Sequence, residues 1–420
     1  MENMYLCIDL KSFYASVECV ERGLNPMTTN LVVADSERSD KTICLAITPA
    51  MKALGIKNRC RVFQIPKGVD YIMAKPRMKL YIEYSANIYE IYLKYASKED
   101  IHVYSVDEAF LDITRYLRLY GMTAKELAVK IMSDVKEKTG ITATAGIGTN
   151  LYLAKVALDI TAKKVVDNIG YLDEEIYRKT LWRHRPLTDF WRVGPGTVKR
   201  LASIGVFTMG DIASADEKIL YKLFGVDAEL LIDHAWGRES TTMEDIKAYR
   251  PKNNSLSNGQ VLMRDYTFKE CEVIVKEMTD ALCLDMTAKD IVTKSISLMV
   301  GYSNIYDIPP VNGSVTMPVA TNSYNTIIPY VLKLYHRIVE KDKLFRRLSI
   351  SCNGVANEEY RQLDFFTDYS VMERDKKLQS AALDIKKKYG KNALIRGMDL
   401  QEGATTMDRN RQIGGHKSGE

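Results

Sequence analysis

Five histidines and seven cysteines are all the imidazole and thiol groups that this 420-residue chain carries, and no two cysteines stand as C-x-x-C. Cys7, Cys19, Cys44, Cys60, Cys271, Cys283 and Cys352 are scattered, several inside apolar runs, with no histidine at zinc spacing. That excludes a zinc module and a disulfide scaffold, and it reads as reduced core thiols of a cytosolic protein. No stretch approaches the roughly 18 apolar residues of a membrane span, and no basic segment leads into an apolar one at the N-terminus. A cytoplasmic protein with no membrane partner is the expectation. There is no internal repeat and no long low-complexity tract. At 46% hydrophobic residues the chain can bury several cores, and its length suggests two to four domains. The net charge of +5 favours a polyanionic partner only weakly.

What the chain does have is acids at strand ends. Met4 to Leu10 (MYLCIDL) alternates enough to lie in a sheet, with Asp9 near its C-terminal end. His102 to Ile113 (HVYSVDEAFLDI) reads as strand, tight turn, strand, with Asp107 and Glu108 at the turn. If the two segments pair, three carboxylates converge. Clustered carboxylates repel one another, so a fold that gathers them usually does so around hard divalent cations, Mg²⁺ or Mn²⁺. Such a set suits two-metal phosphoryl transfer, although a DE pair at a hairpin is more often a solvated turn.

The surrounding residues decide between these. Asp9 to Glu18 (DLKSFYASVE) and Tyr104 to Asp112 (YSVDEAFLD) closely resemble the two catalytic motifs of Y-family, translesion DNA polymerases. Ala46 to Ile56 (AITPAMKALGI) resembles the family's fingers, Ala145 to Lys163 (AGIGTNLYLAKVALDITAK) its distal palm, and Arg192 to Leu201 (RVGPGTVKRL) its thumb. Five motifs in the family's order cover most of the first 240 residues, and the likeness is to UmuC-like members from Gram-positive bacteria. The resemblance implies an α+β right-hand polymerase. Its mixed-sheet palm would be residues 1–20 and 75–172, small fingers 21–74, a helical thumb with a helix-hairpin-helix 173–249, a linker 250–259, an α+β little finger 260–359 and a C-terminal tail 360–420. The linker rests on its Pro, Asn, Ser and Gly content, and the end of the tail, Arg409 to Glu420, reads as mobile.

The resemblance also implies roles. Asp9 and Asp107 would bridge two Mg²⁺ ions (Mn²⁺ as the alternative), the Leu10 carbonyl would complete the nucleotide-side shell, and Glu108 would hold the catalytic ion. Asp112, four residues further on, reads as structural. Tyr14 beside Phe13 falls at the steric gate that excludes ribonucleotides. Lys163 matches the palm lysine that meets the triphosphate, with Lys155 and Lys164 near enough to blur the match, and Lys52 matches a fingers cation. Pro49 and Ala46 depart from the family pattern, leaving Thr48 as the hydroxyl available there. In the thumb, Gly194 and Gly196 would let backbone approach a phosphate, with Lys199 and Arg200 adding charge. From Pro251 to Tyr360 twelve Lys and Arg balance twelve Asp and Glu, so DNA contacts there depend on placement, such as Arg346 and Arg347.

Gln362 to Phe366 (QLDFF) resembles the peptide by which bacterial polymerases dock on the sliding clamp, with Gln362, Leu363, Phe365 and Phe366 as anchors. The expected partners are primed or damaged DNA, deoxynucleotide triphosphates and the clamp, with a recombinase filament or small accessory subunits as further candidates for a nucleoid-associated enzyme. Fingers of about 50 residues suit a low-fidelity enzyme, and no segment is assignable to a proofreading exonuclease. Two other readings share the acids: a nucleotidyl cyclase with a related palm, and a non-catalytic DNA- or clamp-binding relative. The thumb and downstream α+β domain argue against the first, and the intact acids against the second.

Overall fold

A computed structural model describes residues 3–251, 254–359 and 369–419. The chain forms two compact units, Met1–Tyr249 with Lys417–Glu420, and Arg250–His416.

The first unit is built on a five-stranded sheet in the order Ile101–Val103, Glu108–Asp112, Tyr5–Leu10, Ala143–Gly148, Ile169–Leu172. Tyr5–Leu10 is central and antiparallel to both neighbours. Covered on both faces, it buries Tyr5, Leu6, Cys7 and Ile8 in succession, so the apolar run outweighs alternation there. The helix Leu151–Val156 packs directly on the neighbouring strand because that strand offers glycine. A Cβ at Gly146 would sit 2.1 Å from the Ala154 carbonyl oxygen, and one at Gly148 2.2 Å from the Ala154 amide nitrogen. Asn150 caps this helix by accepting from Leu153 N at 2.8 Å. It continues as a π-helical turn, Ala157–Thr161, and a 3₁₀ turn, Ala162–Lys164.

A small sheet of Leu31–Val33, Ala46–Ile47 and Ile72–Ala74 carries the fingers segment. The helix Pro49–Ala53 starts on its proline, and its core is Val32, Cys44, Ile47, Met51, Ile56 and Ile65. Helices from Glu174–Leu181 to Met243–Ala248 follow, with Tyr177, Phe190 and Leu201 in one core with Tyr152 and Leu153.

The second unit has a five-stranded sheet in which Val311–Thr321, Ile291–Tyr302, Phe345–Asn353 and Ser255–Tyr266 follow in that order and the short Ala356–Asn357 pairs with the start of Ile291–Tyr302, packed on helices Phe268–Ala288 and Tyr324–Ile338. The sequence reading of this unit is corrected here. Ser255–Tyr266 is strand, so the linker reading of 250–259 fails from Ser255 onward. Val311–Thr321 was not foreseen either. Both are edge strands, where one side needs no partner and Gly, Asn and Pro318 are tolerated. The mobile reading of Arg409 to Glu420 also fails. Arg409 donates to Gln260 and Asn258, each at 2.8 Å, just downstream of Thr405 and Thr406, whose amides donate to the buried Glu277. Beyond it, within the first unit, Lys417 pairs with Glu37 and Ser418 accepts from Lys79 N at 3.0 Å.

Candidate active site

Antiparallel pairing of the Tyr5 and Glu108 strands sets Asp9 directly opposite Glu108, and Leu10 N donates to the Asp107 carbonyl at 2.9 Å. The sheet thus brings Asp9, Asp107 and Glu108 together at one strand end. Burial pushes the Asp9 carboxyl up to about 7, with Asp107 and then Glu108 adding to the shift and Lys155 opposing it. Ser105 Oγ donates to Asp107 Oδ1 at 2.7 Å and fixes that side chain at the turn. Asp112, opposite Tyr5, accepts from Thr114 N at 3.0 Å and stands at the far end of the strand.

Glu108 has a partner that sequence reading missed. Lys155 Nζ lies 2.8 Å from Glu108 Oε2 and 3.1 Å from Asp159 Oδ2, and Cys7 Sγ donates to Glu108 Oε1 at 3.2 Å. Lys155 is buried, and its pKa is raised, burial notwithstanding, by Asp159, Cys7 and Glu108. Among the described residues no three His, Cys, Asp or Glu side chains already form a metal cage. The all-oxygen donor set and the mutual repulsion recorded at Asp9 nonetheless fit hard divalent cations. The signal for Lys155 was its spacing: Lys155 and Asp159 stand four apart after the glycine-rich strand, on one helical face.

Further cations share the field of Asp9. Partial burial lowers the pKa of Lys52, Asp9 opposes, and Lys163 and Lys11 lower it further, so three ammonium groups from fingers and palm share one field. Lys11 also donates to Asn168 Oδ1. Next to Lys11, Ser12 adopts φ 50° ahead of helix Phe13–Val20, and its Oγ is buried with no hydrogen-bond partner among the described residues. An orphan hydroxyl at a helix start, next to Lys11, suits an anion.

Tyr14 is half-buried and stacks on Tyr81, ring centroids 4.5 Å apart at 17°. Tyr81 is fully buried and donates to Glu18 Oε1 at 2.7 Å, which Arg77 holds at 2.9 Å, so the Tyr14 ring has a rigid backing. Burial and then Asp107 raise the Tyr14 pKa, and Arg59 of the fingers, itself at φ 58°, lowers it. The ring therefore lies within the field of the acids.

Other expected contacts fall elsewhere. Thr48 is fully buried and accepts from Leu31 N at 3.2 Å, which places its hydroxyl in the fingers core and not at a ligand. Phe13 is 2% exposed, a core ring beside Tyr14. Gly194 and Gly196 flank Pro195 at the exposed start of helix Pro195–Ala202, each with open space where a Cβ would stand. Lys199 and Arg200 are both exposed, and Arg200 also donates to the Leu223 carbonyl at 3.0 Å and lies over Phe224. In the second unit Arg346 stands 3.7 Å from Asp265, while Arg347 is exposed on the strand Phe345–Asn353. Gln362, Leu363, Phe365 and Phe366 lie outside the described residues.

Residues 8–159 match the impB/mucB/samB family, and residues 253–365 match the impB/mucB/samB family C-terminal domain. A putative UV-damage repair protein UvrX of Bacillus subtilis is 31% identical over 98% of this chain and 97% of its own. A DNA polymerase IV 2 of the same organism is 29% identical over 99% of both chains, and one of Halalkalibacterium halodurans is 27% identical over 99% of this chain and 100% of its own. Among solved structures, a Y-family DNA polymerase chimera, Dbh-Dpo4(243-245)-Dbh, superposes with a TM-score of 0.64 at 21% identity, over 84% of this chain and 99% of that one.

Proposed function

We infer the chemistry from the premise that this chain belongs to the impB/mucB/samB family of Y-family translesion DNA polymerases, in its Gram-positive type. It is a DNA-directed DNA polymerase acting on DNA and deoxynucleotide triphosphates. The reaction is template-directed nucleotidyl transfer to a primer 3′-hydroxyl. The observation that carries the site assignment is the pairing register that puts Asp9 opposite Glu108 beside Asp107. Extension of a primed template with deoxynucleotides tests the reading; a protein that binds the template and adds nothing would refute it.

Asp9, Asp107, Glu108 and the Leu10 carbonyl would hold two divalent cations, Mg²⁺ or Mn²⁺. When bound, these ions supply the charge that makes the 3′-hydroxyl acidic and neutralises the leaving pyrophosphate. Lys11, Lys52 and Lys163, with the Ser12 hydroxyl, bind and orient the triphosphate. The protein's part is positioning.

Cation binding competes with the proton on Asp9. The Asp9 pKa is raised in the folded protein, so between about pH 4 and 7 the fold holds a proton that the unfolded chain has lost. Stability of the cation-free protein therefore falls as pH rises through that window and levels off above it. Mn²⁺ affinity should climb from about pH 6 to about pH 8 in the same titration; a flat affinity would contradict the shared site.

Tyr14, backed by Tyr81, leaves no room for a 2′-hydroxyl. Tyr14→Ala should raise ribonucleotide incorporation by on the order of a hundredfold relative to deoxynucleotide, about 3 kcal/mol of lost discrimination. Unchanged sugar selectivity would reject the gate.

DNA contacts in this reading come from the Gly194 to Lys199 helix start and from the sheet surface around Arg347, both suited to backbone without base readout. Gln362 to Phe366 is the proposed clamp peptide, supported by its sequence alone. Changing Leu363 and Phe366 to alanine should reduce affinity for the sliding clamp by about a hundredfold, with primer extension on short templates unchanged; intact clamp binding would end the idea. Among the described residues no helix is long and apolar enough to cross a membrane.

A further inference from the structure

Lys155 is a buried cation with two carboxylates to choose from. Its ammonium lies 2.8 Å from Glu108 and 3.1 Å from Asp159, and those acids differ in kind. Glu108 belongs to the acid cluster, its side chain 9% exposed; Asp159 lies one helical turn beyond Lys155, its side chain 28% exposed. Cys7 Sγ holds the second Glu108 oxygen, so the Glu108 carboxylate is fixed from both sides by groups other than its fellow acids. The placement of Lys155 is dictated by the fold. Gly146 and Gly148 let its helix sit on the sheet, and the π-helical turn Ala157–Thr161 begins two residues after it, carrying Asp159. Only the palm strand that bears Asp9 and Cys7 separates the Glu108 strand from the strand on which this helix packs.

We propose that Lys155 is a positioning residue that competes with a divalent cation for Glu108, and that Asp159 is the acceptor that takes Lys155 when the cation claims the carboxylate. This rests on the reading of Asp9, Asp107 and Glu108 as the cation site. Two consequences follow from charge alone: Lys155 opposes cation entry, and it holds the Glu108 carboxylate where the reaction needs it. A third follows only from the exchange. Asp159 acts through Lys155, because an ammonium with a second acceptor is easier to displace from the first. Lys155 stays protonated throughout, so no proton need leave the site.

The test is Mn²⁺ binding to the DNA-free, full-length protein, read by electron paramagnetic resonance of the unbound ion, with primer extension alongside. Lys155→Met should tighten Mn²⁺ on the order of tenfold while lowering kcat at saturating Mg²⁺ about tenfold or more. A residue that only supports the fold would not move these two in opposite senses. Asp159→Asn should weaken Mn²⁺ several-fold, since Lys155 is then left with Glu108 alone. The double variant Lys155→Met/Asp159→Asn should match Lys155→Met. Simple addition of the two single effects would mean that Asp159 acts by its own charge and would overturn the exchange. If Lys155→Met fails to fold by circular dichroism, Asp159→Asn still decides: unchanged or tighter Mn²⁺ overturns the proposal. Asp107→Ala separates the two levels. If wild type binds Mn²⁺, Asp107→Ala loses it and the Lys155 and Asp159 variants bind like wild type, only this inference falls; if Asp107→Ala binds like wild type, the cation site falls with it.

Discussion

Asp107→Ala abolishes primer extension and leaves DNA binding in place: that is the largest effect expected of any substitution in this chain. Asp107 sits at the turn of the hairpin, half-buried, and its side chain is tied to the molecule through Ser105 Oγ. Removing its carboxylate empties no core, so the fold should persist. The loss falls on transition-state charge. Neutralising the pyrophosphate and the attacking oxygen is nearly all the catalysis that phosphoryl transfer requires of a protein. Rate loss of at least about a thousandfold, ~4 kcal/mol, is expected in single-turnover extension. The helix start at Gly194 to Lys199 and the sheet around Arg347 are untouched, so the affinity for a primed duplex should stay within about threefold. Extension within tenfold of wild type would remove Asp107 from the site.

The second large effect is structural, and it reaches the site from outside. Gly146→Ala should destabilise the first unit by about 3 kcal/mol or more, because the new methyl would meet backbone on two sides. The Ala154 carbonyl oxygen lies 2.1 Å and the Leu158 amide nitrogen 2.3 Å from the ideal Cβ position. Neither can move unless the whole Leu151–Val156 helix lifts off the sheet. For a unit of this size that is a fall of roughly 6–12 °C in the melting temperature. Lifting the helix also draws Lys155 away from Glu108, so specific activity below the melting point should fall too. Gly194→Ala is the control: its Cβ would meet open space at the exposed helix start, and stability should hold. Equal melting curves for Gly146→Ala and wild type would contradict the close packing.

The convergence of Asp9 with Asp107 and Glu108 was legible because strand ends and turns announce themselves in sequence. Pairing register then follows from burying the apolar run. The helix Phe268–Ala288 was equally legible, since its apolar positions recur at helical spacing between Thr267 and Lys289. Ser255–Tyr266 and Val311–Thr321 were not. An edge strand is half-satisfied by one neighbour, and its Asn, Gly and Pro content looks like a loop. The tail was misread for a related reason. Arg409 and Thr405 are polar, and polarity marks an exposed end unless the distant Glu277 and Gln260 that receive them are known. Thr48 erred the opposite way: motif position suggested a ligand, while Leu31 N claimed its hydroxyl. Lys155 was seen and set aside as a neighbour of Lys163. Its role depends on how near two glycines let a helix approach, which one chain's residue order does not display.

Extension of a primed template through an abasic position, with Mg²⁺ and deoxynucleotides, tests the central claim most directly. The Y-family assignment and the Asp9, Asp107 and Glu108 site require wild type to insert opposite the lesion and continue, and Asp107→Ala/Glu108→Ala to add nothing. A wild-type protein that copies undamaged template yet stops at the abasic position would contradict the translesion assignment, and a double variant that still extends would contradict the site.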